Sequence, residues 1–437
     1  MATVDTTTTE TTAGEQPPIP RRLAWVNLTS VGGAHAFLHA TTVLLPLIFP
    51  ILHDQYGFSY TQIGLIGTAA NIAGGVLQVV FGYLTRYVAR KTLIGLGNLT
   101  AALGMLLTGT ATTFAPFLAF SVVRSVGSAP QHPVGNSLLA DTFGRARRGA
   151  AISAHVTAGN IGTLAVPLAG AALIARLGWQ PTVMLFALPG ILAGTSVLIF
   201  AREPAASTAP AAPAAPSVSV STAPARKPTV NWRAGVAGAL APLRHRGVLL
   251  VIAASVIAAG GRGLGIVTKY VPLYLQGPVR LPPATVSVLY TVLLAGSVVG
   301  PLAAGRLSDR LGRRRVLYLS YIAAALFTAL LVAVTSGAAP SVALIVVELA
   351  LMGLVIYAEA PLLQAYLIDQ APDGERDAAL GWYFTIAYSL GSVWDAILGA
   401  LIDHAGFVAA FALMAASYLA AMAVLSFVPG GRRRVTR

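Results

Sequence analysis

The 437-residue chain is 56% hydrophobic and 10% charged, and its mean hydropathy is +0.73. A soluble protein carries about a quarter charged residues, so this composition excludes an ordinary water-soluble domain and indicates a membrane protein. The chain has no cysteine, which excludes disulfides, thiol catalysis and cysteine-ligated metals, and its net charge of +14 raises the question of nucleic-acid binding.

The chain begins with a polar tail over residues 1–23 that contains the runs TTTTETT and QPPIP. Such a segment buries too little apolar surface to fold, so we predict that it is disordered. It lacks a basic segment followed by an apolar core, so we do not expect a cleaved signal peptide, and the first apolar helix must direct insertion.

Twelve apolar segments follow, each close to the roughly 20 residues that cross a bilayer. They predict an all-α membrane protein with two pseudo-symmetric six-helix bundles, over residues 24–201 and 247–428. The Ala/Pro/Ser-rich stretch 202–246 is predicted to be a cytoplasmic linker, and 429–437 a basic tail. Spans 1 to 12 are predicted at 24–52, 61–85, 92–113, 115–140, 149–175, 180–201, 247–276, 284–305, 316–337, 341–369, 378–402 and 407–428.

The basic residues of the loops predict the orientation. If both termini and the linker are cytoplasmic, the outer loops hold only Arg176 and Arg280, and the other loop cations lie inside. This bias is typical of a multi-pass protein of the inner or plasma membrane. It accounts for most of the net charge, so we expect lipid bilayer and no nucleic acid as a partner.

The two halves carry an internal repeat. The loop GYLTRYVARK after span 2 resembles GRLSDRLGRR after span 8, and HPVGNSLLAD, ending at Asp141, resembles APLLQAYLID, ending at Asp369. Repeated six-helix halves are typical of transporters whose substrate site lies between the halves near the membrane midplane.

The loop GRLSDRLGRRR resembles the signature G-x-L-x-D-R-x-G-R-[KR] of the major facilitator superfamily. Within it, the chain is similar to the fosmidomycin resistance group through a His in span 1 followed by PLIFPILHDQYGFSYTQIGLI, GSAPQHP in span 4 and GNIG in span 5. The resemblance implies halves that rock between inward- and outward-facing states, with spans 1, 4, 7 and 10 lining the cavity. It implies a gate motif with helix-end contacts, formed by Gly305, Asp309, Arg310, Gly312, Arg313, Arg314, Asp141 and Asp369.

The chain also departs from the family pattern. Arg86 stands where the first-half copy of the loop motif carries an acid, and His39 and Val134 stand where members of the fosmidomycin resistance group have Asp and Glu. The span-5 signature of drug antiporters is only partly present, so the resemblance by itself does not fix drug export.

Ionisable side chains inside the spans are the candidate site. Each costs at least ~2.5–3.5 kcal/mol at mid-bilayer, so each is a functional candidate. Ten occur, eight of them on spans 1, 4, 7 and 10: His35, His39, Arg124, His132, His155, Arg262, Lys269, Glu348, Glu359 and Asp395.

Helical spacing orders these candidates. His35 and His39 are four residues apart and share a face, and Arg262 and Lys269, seven apart, are predicted to lie on nearly the same face. We predict substrate contacts from Arg124, Gln131, His35, His39, Arg262, Lys269 and Tyr357. We predict proton coupling from Glu359, Asp395, Glu348 or His132.

Structural roles compete with these functional ones. Arg124 would then bind helix carbonyls, and Arg262 or Lys269 would pair with an acid of its own half, either Glu348 or Asp395. The histidines would be hydrogen-bonded core residues, with His132 and His155 meeting where spans 4 and 5 adjoin. Glu359 would tie helices together.

No other chemistry is indicated. The sequence has no phosphate-binding loop and no His/Glu spacing that suggests zinc, so we expect no cofactor, no metal and no enzymatic activity. The leading hypothesis is a monomeric, proton-driven exporter of a small anionic or amphipathic organic solute. Proton-coupled uptake of an organic anion is the first alternative, and a receptor or scaffold that no longer transports is the second.

Overall fold

The computed structural model describes residues 20–204, 240–337, 339–372 and 374–429. The predicted tail 1–23, the linker 202–246 and the basic tail 429–437 lie largely outside the described residues. The described part is helical throughout and contains no strand.

The helices of the first half are Arg21–Tyr56, Tyr60–Leu84, Arg90–Thr108, Phe114–Ser128, Gln131–Leu177, Trp179–Leu185 and Ala187–Phe200. Those of the second half are Arg246–Ala258, Thr268–Gln276, Pro283–Leu311, Arg313–Thr335, Val342–Ile356, Glu359–Gln370, Arg376–Gly391 and Val393–Ser426. Shorter turns occupy Ala241–Arg244, Ala259–Gly261 and Gly263–Val267.

Within the described ranges, ten helical segments are long and apolar enough to cross a membrane. Twelve spans were predicted, and the difference is one of segmentation. Spans 11 and 12 form the single segment Ala378–Ser426, which reverses at Gly406 with a φ of 79°. Span 4 is divided at Ala129–Pro130, and its second part continues into span 5 as the helix Gln131–Leu177. The predicted fold class is confirmed.

Span 7 is broken at its middle. The sequence GGRGLG over residues 260–265 leaves helical geometry at Leu264 (φ −82°, ψ 116°) and at Gly265 (φ 115°, ψ −70°). A φ of this sign is easily reached by glycine and strains other residues. Irregular backbone is tolerated at membrane depth only where it is buried in protein or lines a cavity, so this break is expected to be shielded from lipid.

The two ends of the bundle differ in what they carry. We call the end with residues 204 and 240 the linker face and the other end the opposite face. The linker face also holds both described chain ends. There the Asn27 amide binds the carbonyl of Arg202 at 2.8 Å, and Arg314 binds the carbonyl of Ser426 at 2.9 Å.

The halves meet mainly through span 2 against span 11, span 5 against span 8, and span 1 against span 7. Span 2 approaches most closely at two glycines. A Cβ atom at Gly64 would overlap the backbone carbonyl of Asp395, and one at Gly67 would overlap the Lys269 amine. Because these two glycines have no side chain, span 2 of the first half packs directly against Lys269 and Asp395 of the second half.

Candidate functional site

A cavity of about 220 Å³ lies at mid-depth between the two halves. Its polar lining comes from spans 1, 2, 4, 7 and 11, and the broken backbone of span 7 forms part of the wall. Asn71, His132 and Tyr388 are exposed there, so water reaches the cavity. The polar side chains of the wall are His39, Thr42, Asn71, Gln78, Ser125, Ser128, His132, Arg262, Tyr388, Ser392 and Asp395.

Arg262 lies at the break of span 7 and lines the cavity. It donates to the backbone carbonyl and the hydroxyl of Ser255 at 3.0 and 3.1 Å, and its guanidinium carbon lies 5.1 Å from the ring centre of Tyr388. Its Nε is buried without a hydrogen-bond partner. Among the described residues it forms no ion pair, although Glu359 interacts with it electrostatically.

Lys269 and Asp395 form a buried ion pair, with 2.5 Å between Nζ and Oδ1 and side-chain exposures of 7% and 2%. Asp395 lies in the first turn of Val393–Ser426, where the helix dipole favours a negative charge. The sequence left Glu348 and Asp395 as alternative ion-pair partners for Arg262 and Lys269, and in the structure Lys269 pairs with Asp395. The expectation that Arg262 and Lys269 lie on nearly the same helix face is wrong, because span 7 breaks between them.

Asp395 also touches the first half. Asn71 on span 2 donates to its second carboxylate oxygen at 3.5 Å. One turn nearer the opposite face, the Thr68 hydroxyl donates to the carbonyl of Ser392 at 2.7 Å and accepts the amide of Ala396 at 3.2 Å. The ion pair therefore lies between the cavity and a hydrogen-bonded contact between the halves.

A second contact between the halves lies at the opposite face. Asp403 accepts the backbone amides of Tyr60 and Thr61 at 3.0 and 2.7 Å, and the Thr61 hydroxyl at 2.6 Å. These amides are the free donors at the start of helix Tyr60–Leu84, a favourable place for a carboxylate. Sequence reasoning missed Asp403 because it is an isolated acid between spans 11 and 12, without a motif.

Histidines of spans 1, 4 and 5 gather on the first-half side of the cavity. The ring of His35 lies 4.4 Å from His39, 5.1 Å from His132 and 4.1 Å from His155, measured between ring centres. His39 and His132 reach the cavity, whereas His35 and His155 are buried. His132 and His155, which were expected to meet each other, each lie beside the ring of His35.

The remaining predicted substrate residues lie outside the cavity wall. Arg124 donates to the Thr41 hydroxyl at 3.4 Å, and its Nε is buried without a partner. Gln131 is buried, donates to the carbonyl of Val31 at 2.9 Å and accepts from Asn98 at 3.2 Å. Gln131 therefore ties three spans together.

Three predicted residues of span 10 are buried beside the cavity without lining it. Glu348, Glu359 and the Tyr357 hydroxyl have no hydrogen-bond partner in the described part of the chain. Glu359 begins the helix Glu359–Gln370, directly after a turn at Tyr357 and Ala358. Glu359 also interacts electrostatically with Arg262, so span 10 places one of its two buried carboxyls near the arginine of the cavity wall.

At the linker face, each half has one arginine–aspartate pair at equivalent positions of the repeat. Arg90 begins span 3 and binds Asp141 at 2.7 Å, and Arg313 begins span 9 and pairs with Asp369. These pairs join helices within a half, not across the interface. The first half adds Glu203, which lies 3.2 Å from Arg90.

The other residues of the gate motif adjoin this pair in the second half. Gly312 ends the helix Pro283–Leu311, and Arg314 donates to the Tyr318 hydroxyl at 2.9 Å. Asp309 and Arg310 are exposed, and Gly305 has open space around it. Within the described residues, Asp309 has no hydrogen-bond partner.

A family model described as Major Facilitator Superfamily matches residues 31–282 and 270–436. The chain belongs to this superfamily. The two matches overlap at residues 270–282 and together cover both halves. The cavity between the halves is where such transporters hold their substrate.

Two curated relatives align along nearly the whole chain. The uncharacterized MFS-type transporter YfnC of Bacillus subtilis (strain 168) is 26% identical over 401 residues, which is 92% of each chain. The fosmidomycin resistance protein of Escherichia coli (strain K12) is 23% identical over 412 residues, 93% of each. The resemblance to the fosmidomycin resistance group is thereby confirmed.

Solved structures share the fold at low identity. The nucleoside transporter NupG superposes with a TM-score of 0.73 at 12% identity, covering 93% of this chain and 98% of that one. A bacterial homologue of the human lysosomal transporter Spinster, inward-facing and unoccupied, gives 0.68 at 15% identity, covering 94% and 96%. This MFS protein therefore shares the fold of these transporters.

Proposed function

We propose that this protein is a proton-coupled exporter of a small anionic organic solute, with Arg262 binding the solute and Asp395 the proton. The transporter class follows from the family. The observation that carries the finer proposal is the arrangement of charges around the cavity: an arginine without an ion-pair partner, next to a buried ion pair at the contact between the halves.

Arg262 supports an anionic solute. Its guanidinium stays charged when buried, and its planar fork suits a carboxylate or phosphate group. Asp395, the carboxylate in the cavity wall, forms its ion pair with Lys269 and not with Arg262. An anion that enters from the linker face can meet the Arg262 guanidinium, with Tyr388 beside it.

The Lys269–Asp395 pair supports proton coupling. Gly67 of span 2 packs against both side chains, so the first half covers the pair in this state. If the halves rock so that the opposite face opens, span 2 leaves span 11 and the pair meets water. A proton on Asp395 then removes the attraction to Lys269, which couples the protonation of Asp395 to the movement of the halves.

Export follows from this cycle and from the predicted cytoplasmic linker face. The solute binds while the linker face is open, leaves at the opposite face, and is replaced there by a proton on Asp395. The fosmidomycin resistance protein among the relatives also favours export, and fosmidomycin is the first solute to test.

Flux into proteoliposomes with an imposed pH gradient tests the proposal. An exporter that exchanges solute for protons moves the solute into the acidic compartment, whereas proton-coupled uptake concentrates it in the alkaline one. If none of a panel of organic anions and fosmidomycin moves, the protein is the receptor or scaffold and not a transporter.

The proton site is tested by Asp395→Asn, with Glu348→Gln as the matched control. We expect Asp395→Asn to abolish gradient-driven flux and to retain solute exchange at equal pH, whereas Glu348→Gln keeps both. Glu359→Gln belongs in the same series. If Asp395→Asn still concentrates solute and Glu359→Gln or Glu348→Gln does not, the proton site lies on span 10.

A further inference from the structure

We propose that His35, His39 and His132 form a binding site for a divalent transition-metal ion such as Zn²⁺, on the first-half wall of the cavity. Each of the three side chains offers a ring nitrogen, and these nitrogens all lie within 4.8 Å of one another. In a tetrahedral zinc site with Zn–N distances of about 2.0 Å, the ligand nitrogens lie about 3.3 Å apart. Small side-chain rotations therefore close the site.

The tautomer of His35 is set by its hydrogen bond. Its Nδ1 lies 2.9 Å from the backbone carbonyl of His155, which can only accept, so Nδ1 carries the proton. Nε2 is then left with a free lone pair, and it is buried without a partner. An imidazole that donates one N–H to a carbonyl and presents its other nitrogen is the arrangement of a metal-ligating histidine.

The hydrogen bonds of Thr163 favour the same tautomer in His39. The Thr163 hydroxyl donates to the carbonyl of Gly159 at 3.2 Å, so its oxygen accepts from the Nδ1 of His39 at 3.1 Å. Nε2 of His39 is again left with a lone pair. Two histidines of span 1 thus present oriented, unprotonated nitrogens, each held by a partner on span 5.

His132 completes the set from span 4. It is exposed to the cavity and has no hydrogen-bond partner among the described residues, so its ring is free to turn toward the other two. Three imidazoles leave a fourth position of a tetrahedral ion open toward the cavity, where water or an anionic ligand can bind.

The ligand set selects the class of metal. Imidazole suits Zn²⁺, Cu²⁺, Ni²⁺ and Co²⁺, whereas Mg²⁺ and Ca²⁺ require oxygen ligands. His155 stacks on His35 at 4.1 Å with an interplanar angle of 18°, so it buttresses the ring of His35 and supplies its backbone carbonyl. We therefore assign three ligands, not four.

The test is metal binding to the full-length protein, purified in detergent without a polyhistidine tag and stripped with a chelator. We expect one equivalent of Zn²⁺ to bind in the micromolar range or tighter. Bound Co²⁺ should give the intense visible absorption of a tetrahedral site. The chain has no cysteine, so thiolate ligands cannot confuse this spectrum.

Three variants separate ligands from supports. His39→Ala and His132→Ala should each remove the high-affinity equivalent and the cobalt absorption. Thr163→Val keeps all ligands but removes the acceptor that orients His39, so affinity should fall about 10–100-fold. His404→Ala is the matched control, because this exposed histidine bonds only the carbonyl of Ala400 and should bind metal like the wild type.

The wild-type titration decides the proposal even if a variant fails to fold. Absence of a high-affinity Zn²⁺ equivalent, or binding that persists in a monodisperse His39→Ala/His132→Ala double variant, overturns it. His155→Phe preserves the stacked ring and should bind one equivalent. Loss of the site in that variant, while it remains folded, would overturn the three-ligand assignment.

Discussion

The two halves of this transporter share one architecture and bury different polar groups. At the linker face they match, because Arg90–Asp141 and Arg313–Asp369 occupy equivalent positions of the repeat. Around the cavity they differ. The first half presents neutral imidazoles held by hydrogen bonds, whereas the second half presents Arg262 and the pair of Lys269 with Asp395.

The comparison indicates that both halves contain the ion pair that joins helix ends, whereas the polar groups around the cavity differ between the halves. An ion pair that joins helix ends stabilises either half in the same way, so both halves keep it. Groups that meet the solute, a proton or a metal ion need not be duplicated. We therefore assign proton coupling and anion binding to the second half, and metal binding to the first.

The largest expected effect is on the stability of the second half. Lys269→Met leaves Asp395 buried without its partner, and Asp395→Asn does the same to Lys269. Removing one member of a buried pair costs about 3–5 kcal/mol. The double variant Lys269→Met/Asp395→Asn leaves no isolated charge and should recover most of the loss in the free energy of unfolding, measured in detergent.

The matched change in the first half is His155→Phe, which removes a buried imidazole that carries no charge partner. The loss in the free energy of unfolding should stay well below that caused by Lys269→Met or by Asp395→Asn. The outcome against the prediction is a Lys269→Met/Asp395→Asn variant that loses as much free energy of unfolding as the two single variants together. Lys269 and Asp395 would then contribute independently to stability.

A middle-sized effect separates the two buried arginines. Arg262 lines the cavity and Arg124 does not, so Arg262→Ala should weaken binding of a transported organic anion by about 2–5 kcal/mol. Arg262→Lys should restore only part of this, because it loses the planar fork. Binding is measured by equilibrium titration of the purified protein.

Arg124→Ala serves as the comparison. It was predicted from the sequence to contact the substrate, and in this state it binds Thr41 outside the cavity wall. We expect the smaller loss of affinity for Arg124→Ala. A larger loss than for Arg262→Ala would place the anion in the first half. Unchanged transport of a neutral solute at wild-type rates by Arg262→Ala, with no anion transported by the wild type, would refute the anion site.

The smallest effects concern the two faces. Asp403 binds the start of helix Tyr60–Leu84 across the interface between the halves, so Asp403→Asn should favour opening of the opposite face. Loss of a helix-capping group costs roughly 0.5–2 kcal/mol. Asp309 is exposed and unbonded in this state, so Asp309→Asn should shift the population the other way, by removing contacts made when the linker face closes.

Labelling of single cysteines measures this population, and the absence of native cysteine leaves no background. Ser128→Cys reports the cavity, and Arg280→Cys, in an exposed loop at the opposite face, is the control that should label equally in all variants. Asp403→Asn should increase labelling of Ser128→Cys from the opposite face, and Asp309→Asn should decrease it. Equal labelling in both variants would mean that neither carboxylate acts at a gate.

Much of the fold followed from the sequence, because hydropathy and loop charge are read along the chain and need no knowledge of contacts. The spans, the two bundles and the repeat came from such local patterns. The segmentation around Pro130 and Gly406 did not, since it depends on where hydrogen bonding is interrupted in the packed bundle. The break of span 7 does have a sequence signal, because the run GGRGLG is rich in glycine.

The sequence identified residues of the candidate site, but not how those residues are arranged in space. Spacing correctly put His35 next to His39, since four residues make about one helical turn, and their rings lie 4.4 Å apart. It was wrong for Arg262 and Lys269, because the broken backbone between them changes the direction of the chain. No spacing rule links Asp403 to Thr61, which are 342 residues apart.

The sequence by itself thus determined that this is a twelve-span transporter with titratable groups buried in its cavity spans, since burying charge in lipid is costly wherever it occurs. The tertiary structure alone decided which of those groups meet. Each residue along a helix turns a side chain by about 100°, so small differences in helix rotation and depth decide its partner. Those differences are set by packing, such as the contact of Gly67 with Lys269 and Asp395.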